Sequence, residues 1–577
     1  MSWKAGMRRW VLLAPCLYCA CHGCGSVNYP VSSPTSDPAG SHRSFAQSET
    51  SMVRIDQPAN RPPREPAARY IVGYNDTTSV IQASTASCWR FMERASLDGW
   101  ATSEEFGGNW VRHSQLGVTA DIQAQGVHAR HGDPWLAAWS SKDCNVPGIV
   151  LYVSVAQRTL DHYGGPWYLV VSRSLNNGKT FADSKVVLGP QGPVPDGPKI
   201  AITGDGQVAL VVWNEPFLGG IPFRLLWDLN QPTLKATSTG VISPASIATP
   251  PASSCTFFGA SAHPRVAAGV STLYVAANVT YHCGNTFVER LEVYRNIPIG
   301  IALGVPFVRI LSVTPPSMAS STLGVLNAQD IGGAVRFGTR VDRGSSLPAL
   351  AVAQDEFGEI VVVADLSVRA GTEPDEAQVE KVVQWRLPSA DRCNAVRHRG
   401  DLDSCGASLA AAEVDGLSIP SKMDSVGNRA GVWESKVAVF SGRVPDGTID
   451  RRIGMILYSQ PYKGLMSVTD EMRTRTIVEG VVSTDGGLSY RGPFTLTARR
   501  AGDPAPRPED DNIGFYFYPC QVLCNGYFGE YLSGVFEFLA PTTTPIVGAW
   551  GDSREGCTDQ GIRLKHQHVW AGAIRPK

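Results

Sequence analysis

Short apolar runs separated by polar, glycine-containing turns dominate the pattern of this chain from about residue 70 onward. Runs such as GIVLYVSV, GQVALVVW, TLYVAANV and EIVVVADL are four to eight residues long and rich in β-branched side chains, which predicts strands rather than helices. Each of these runs follows a segment that begins with proline: PWLAAW at Pro134, PKIAIT at Pro198, PRVAAG at Pro264 and PALAVA at Pro348. An aliphatic residue stands two positions after every proline (Leu136, Ile200, Val266, Leu350), and alanine stands three positions after it (Ala137, Ala201, Ala267, Ala351). A small side chain at one fixed phase is what a crowded place near a central axis requires, and proline suits the first residue of a strand. The repeat predicts an all-β fold, a β-propeller of six four-stranded antiparallel blades, with seven as the alternative count. Two divergent units, 428–495 and 526–574, complete the count. IVGYND at 71–76 echoes IVGAWGD at 546–552, as expected if the two chain ends meet in a closed ring.

Between strands the chain writes one turn phrase twice, SRSLNNGKTF at 172–181 and VSTDGGLSY at 482–490. Ser174, Asn176, Gly178, Thr180 and Phe181 align with Ser483, Asp485, Gly487, Ser489 and Tyr490. Asn and Asp bond nearby backbone amides, glycine takes a positive φ, and the aromatic leaves the turn as a plug. Ser96, Asp98, Gly99 and Trp100 form a degenerate third copy. The phrase resembles the Asp-box, or BNR repeat, of the sialidase-like propeller superfamily, and with the blade pattern this resemblance covers about residues 68–577. It implies a propeller fold and assigns the turn acids a structural part. The superfamily's sialidases imply an arginine triad, an early Arg-Ile-Pro motif, a tyrosine nucleophile paired with glutamate, and an aspartate acid or base. Here the first blade reads ARYIVGYND without Arg-Ile-Pro; YRNIPIG at 294–300 is the nearest string.

Composition supports the sheet reading: 58 glycines, 40 prolines and 18% charged residues leave little room for long amphipathic helices. A formal net charge of −1 with scattered Lys and Arg leaves no electrostatic footprint for nucleic acid or an anionic membrane, and a polyanion-binding role would need a local patch. Lys4, Arg8 and Arg9 precede an apolar run from Trp10 to Ala20 that is too short to span a bilayer, so residues 1–24 are expected to be an export signal, of lipoprotein or ordinary cleaved type. Cys21 and Cys24 are the alternative lipidation sites, each after a small residue. Residues 25–66 are expected to be a disordered Ser/Pro-rich linker, and 67–577 the propeller domain. The expected location is extracytoplasmic, as a cell-envelope lipoprotein or a secreted protein. There Cys255 with Cys283 and Cys393 with Cys405 are candidate disulfides, and Cys520 or Cys524 is expected to pair with Cys557.

Residues just before the prolines are expected to ring the central mouth. Asp133, Asp196 and His263 are named on that ground, with Arg340 and Asp342 before Pro348 and Glu530 and Tyr531 in the last blade. Tyr531, Glu530 and Asp133 are the catalytic candidates, because glycoside hydrolysis needs two ionisable groups and the sialidase variation uses tyrosine. Asp196, His263, Arg340, Asp552 and Arg554 are the ligand-binding candidates, the last two alternating on one strand. No metal and no cofactor is expected: PEDDN at 508–512 lacks the spacing of a calcium loop. The functional expectation is a monomeric propeller binding a glycan or cell-surface protein at its mouth, touching the membrane only through an N-terminal lipid anchor; the alternative is an exo-acting glycoside hydrolase of sialidase type.

Overall fold

A computed structural model describes residues 27–31, 47–57, 66–76, 80–82, 89–91, 96–104, 109–141, 143, 145–158, 166–192, 194–215, 219–244, 255–260, 264–284, 286–313, 335–337, 340–342, 349–355, 358–370, 377–387, 417–418, 431–443, 449–460, 477–483, 491–496, 533–536, 546–552, 557–559, 562–564 and 568–574. Strands dominate these residues, and the helices among them are single turns, Ala120–Gln123 and Pro298–Ala302. The fold is an all-β propeller of antiparallel sheets.

The innermost strands follow one another around the ring: Gln47–Asp56, Ala129–Trp139, Asp196–Ile202, Arg265–Ala268, Ala349–Asp355, Gly431–Arg443 and Ser533–Phe536. Each contacts the next, and Ser533–Phe536 contacts Gln47–Asp56, so the ring closes. The sheets are called here the first to the sixth and the closing sheet. Among the described residues the four-stranded sheets number five, which corrects the expectation of six or seven uniform four-stranded blades. The other two carry a fifth strand for a local reason. In the third sheet Lys235–Ala236 and Gly240–Ile242 both pair with Ile221–Trp227, as two halves of one outer strand. In the fourth, Cys255–Ala260 and Arg265–Ala268 both pair with Leu273–Cys283, as two halves of one inner strand.

All four alanines of the repeat lie on inner strands. Their surroundings are more specific than a crowded axis. Ala137 shares a buried cluster with Ile200 of the next sheet, Ala201 with Val266, and Ala267 packs on the cluster holding Leu350. The alanine of one blade therefore faces the aliphatic of the following blade, a small-against-large match at each interface where twisted sheets converge.

Two further expectations are corrected. Proline does not open the inner strand of the second and third sheets; Pro134 and Pro198 sit inside it, at register breaks between Gly132 and Trp135 and between Asp196 and Lys199. A bulge is where a strand tolerates the missing N–H. Residues 27–30 and 47–56, read as spacer, form strands: Gln47–Asp56 is the first inner strand, and Val27–Pro30 is the outer strand of the closing sheet, paired with His568–Ile574. Met52 packs with Val547 and Ala549 of the closing sheet, whereas Val53 and Ile55 pack with Leu136 and Val150 of the second, so the partners of the first inner strand come from far along the chain. The echoing segments 71–76 and 546–552 are equivalent second strands of neighbouring sheets, and the two chain ends meet in the closing sheet as the echo implied.

The first turn phrase does what its residues require. The Ser174 hydroxyl accepts from the Gly178 amide (3.0 Å), and the Asn176 side-chain oxygen accepts from the Lys179 and Thr180 amides (3.1 and 3.0 Å). Asn177 and Gly178 have φ of 60° and 72°. Phe181 meets Trp100 and Tyr152 edge-on, plugging the junction with the first sheet. The second copy lies outside the described residues beyond Ser483. Around the degenerate copy, Asp98–Ser103 is a strand, not a hairpin turn. The Cys255–Cys283 disulfide is present across the register pair that opens the fourth sheet.

Candidate functional site

The site begins with a kink in the inner strand. Gly132 and Asp133 have φ of 95° and 54°, and Gly197 has φ of 53°. A left-handed Asp is costly unless its neighbours hold it. Here the Asp133 amide donates to Asn75 Oδ1 (2.9 Å), and the Gly132 amide donates to the buried Asp98 carboxylate. A Cβ at Gly132 would lie 2.3 Å from Asn75 Oδ1, so only glycine fits beneath the first sheet.

Asp98 is itself part of a buried lattice. Arg130 lies flat across the second sheet with no exposed surface: it donates to Asp98 Oδ2 (2.8 Å), to the hydroxyls of Ser172 (2.7 Å) and Ser184 (2.9 Å), and to the Gly117 carbonyl (3.1 Å). Ser154 donates to Asp98 Oδ2 at 2.6 Å. Burial raises the Asp98 carboxyl above the ordinary carboxylate range, and Arg130, Ser154 and the Gly132 amide oppose that rise. Beside it the Tyr152 phenol, which donates to the Gly99 carbonyl, is pushed well up by burial and then by the Asp98 charge. The lattice locks the kink; it does not face a ligand.

Past the kink, the residue one position after each repeat proline points the same way as the alanine two residues on. These residues are Trp135, Lys199, Arg265 and Ala349, and the first three, from consecutive sheets, meet. The Lys199 ammonium is 4.8 Å from the Trp135 ring centre and the Arg265 guanidinium carbon 5.3 Å from it. Both distances suit a cation on an aromatic face. Lys199 is fully buried and donates to the Gly197 and Pro198 carbonyls (2.9 and 3.3 Å), acceptors released by the bulge of its own strand. The arrangement is an aromatic ring holding two cations at the hub, with the half-buried Asp133 and Asp196 on the kinks around it.

A second buried cluster lies away from the hub, on the outer strands of the fourth sheet. Glu292 accepts from Tyr281 (2.9 Å), Arg309 (2.8 Å), Ser312 (3.0 Å) and Tyr294. Both phenols are raised, first by burial and then by Glu292. With every partner drawn from its own strand or the adjacent strands of one sheet, the cluster satisfies a buried carboxylate.

Of the sequence candidates, Asp133 and Asp196 are brought to the hub kinks. Asp552 ends the second strand of the closing sheet, opposite His568, and not on an inner strand. Arg340 and Asp342 belong to a two-stranded hairpin with Val335–Phe337 instead of the inner strand, a correction that follows from six residues of chain between that hairpin and Ala349. Tyr531, Glu530, His263, Arg554, Cys21 and Cys24 lie outside the described residues. Trp135, Lys199 and Arg265 were missed, although the proline phase that marked Ala137 marks them equally. Among the described residues no three His, Cys, Asp or Glu side chains gather to hold a metal ion.

No protein-family profile matches the chain, and no curated protein does. Among solved structures the chain is similar to the β-propeller domain of the Trilobed protease from Pyrococcus furiosus, at 8% identity and TM-score 0.33, over 92% of this chain and 96% of that one. It is similar to the phage phi92 endosialidase at 9% identity and TM-score 0.31, over 92% and 70% of the two chains. Similarity to the Trypanosoma rangeli sialidase is at 10% identity and TM-score 0.30, over 72% of this chain; the chain spans about half, 51%, of that enzyme's length. Likenesses this distant carry no chemistry across.

Proposed function

We propose that the protein is an exported propeller of sialidase-like type that binds a glycan or a protein ligand at its hub opening. The observation that carries this reading is the meeting of Trp135, Lys199 and Arg265 from three consecutive inner strands beside the kinks at Asp133 and Asp196. The side chains of Trp135, Lys199 and Arg265 are buried (6%, 0% and 8% exposed), so the groups offered to a ligand are the half-buried Asp133 and Asp196 on the kinks, with the fixed cations behind them, which suits a ligand with polar substituents. The Cys255–Cys283 disulfide agrees with a life outside the reducing cytoplasm. No helix among the described residues is long and apolar enough to cross a membrane.

The experiment is glycan-array binding of the whole chain, with Arg265→Gln and Asp133→Asn variants whose unfolding curves match the parent. Binding that weakens about tenfold in both is expected, since a charge-assisted bond is worth roughly 1.5–3 kcal/mol. Unchanged binding in both refutes the hub site. Turnover of fluorogenic sialosides, lost in Tyr531→Phe, would instead establish the hydrolase alternative.

A further inference from the structure

We propose that residues Ile297–Val308, the connection between the third and fourth lanes of the fourth sheet, are a lipid-facing element that seats the propeller on an anionic membrane surface. The segment IPIGIALGVPFV carries no charge, and no Asp or Glu occurs between Glu292 and Asp330; Arg295 and Arg309 bracket it. Five of its side chains are turned outward: Ile297 (45% exposed), Ile299 (64%), Leu303 (76%), Val305 (50%) and Val308 (54%). Burying such side chains is the default of a soluble fold, and a contiguous exposed group of them marks an interaction surface.

The exposure is built in. The Leu303 amide donates to the Ile299 carbonyl (3.0 Å), the Val305 amide to Gly300 (2.8 Å), and the Asn296 side-chain amide to the Val305 carbonyl (2.8 Å). Gly304 turns the chain with φ of 76°. Phe307 reaches back, buried against Phe223 with ring centres 5.3 Å apart, and Ile301 packs on the same core cluster. These two side chains anchor the turn while five aliphatics project from it.

Chemistry and shape favour lipid over a second copy of this chain. A stable protein interface takes roughly 20–30 residues a side, whereas this is a single turn of about half that length. Interfacial insertion needs only a short apolar tip, with basic residues at its base to meet anionic headgroups. Arg295 is half-buried and Arg309, tied to Glu292, keeps 20% of its side chain exposed at that base. Placement agrees. Asn296 pairs with Leu273, which also pairs with Ala268 at the end of the inner strand. The segment therefore leaves the sheet beside the turn that follows the inner strand, where the exposed Val270 (45%) extends the apolar surface.

The test is amide hydrogen exchange of the full chain, read on the peptide covering 296–309. Vesicles of phosphatidylcholine with about 30% phosphatidylglycerol are expected to slow its exchange about tenfold. Ile299→Asp with Leu303→Asp is expected to abolish that protection and leave the urea midpoint unchanged. The local readout separates this contact from any attachment through residues 1–24: vesicle binding without protection here overturns the proposal. Protection without vesicles overturns it too, in favour of a second copy if it grows with protein concentration and of a covering segment of this chain if it does not. Equal protection on pure phosphatidylcholine refutes the anionic preference.

Discussion

At the scale of single residues, partner distance along the chain separates what was readable from what was not. The Ser174–Phe181 turn closes through bonds spanning two to four residues, so its chemistry was written locally. Arg130 finds Asp98, Ser172 and Ser184 at separations of 32, 42 and 54 residues, and no local pattern announces them. His113 belongs to the same class. It stacks on Trp100 with ring centres 3.8 Å apart and shares a 2.8 Å bond with the Thr102 hydroxyl. Burial, and then the Arg69 guanidinium, holds it below its ordinary value of 6.5. The unfolded chain then takes up the proton first as pH falls. Stability is full above 6.5 and declines as pH drops through that value toward the folded one. His113→Gln is expected to flatten this part of the profile, read from urea midpoints between about pH 5 and about pH 7.5. Parallel profiles for the two proteins would exclude His113 as the source.

At the scale of elements, periodicity identified the inner strands and misplaced their prolines. Hydrophobic alternation reports which residues share a face, and it therefore found Ala137, Ala201, Ala267 and Ala351 on equivalent strands. It does not report a bulge, because a bulge is a mismatch between two strands and exists only in their pairing. The kinks that carry Asp133 and Asp196 were accordingly read as strand starts. The blade interface makes its own prediction. Ala137 is 7% exposed and lies in the cluster with Ile200 and Ile202 of the next sheet, so Ala137→Leu must push two inner strands apart. A loss of about 1–3 kcal/mol is expected in urea unfolding. Ala137→Gly should cost less at this interface, and a neutral Ala137→Leu would mean that the interface has room to spare.

For the whole molecule, the ring closes with a strand from each end of the chain. Val27–Pro30 covers the edge of His568–Ile574, and Val31 continues the contact with its amide on the Val569 carbonyl (2.9 Å). Val31 is itself buried with Tyr70, Val72 and Val547, joining the closing sheet to the first. Removing residues 1–31 is expected to leave a chain that melts at a lower temperature, by roughly 1 °C for each ~1 kcal/mol lost at this size. It should also self-associate through the bared edge, which sedimentation at rising concentration detects. A monomer with the parent's midpoint would show that the ring closes without it.

Strand-forming runs, the repeated proline–alanine phase, the chemistry of the first turn and the Cys255–Cys283 pair were determined by the sequence alone. Each depends on near neighbours or on a period that the chain itself displays. Only the tertiary structure decided that Val27–Pro30 and Gln47–Asp56 are blades' strands, that Trp135 gathers Lys199 and Arg265, and that the apolar turn at 297–308 is left exposed. Those relations join residues from different sheets, and sheets acquire their neighbours only when the ring closes.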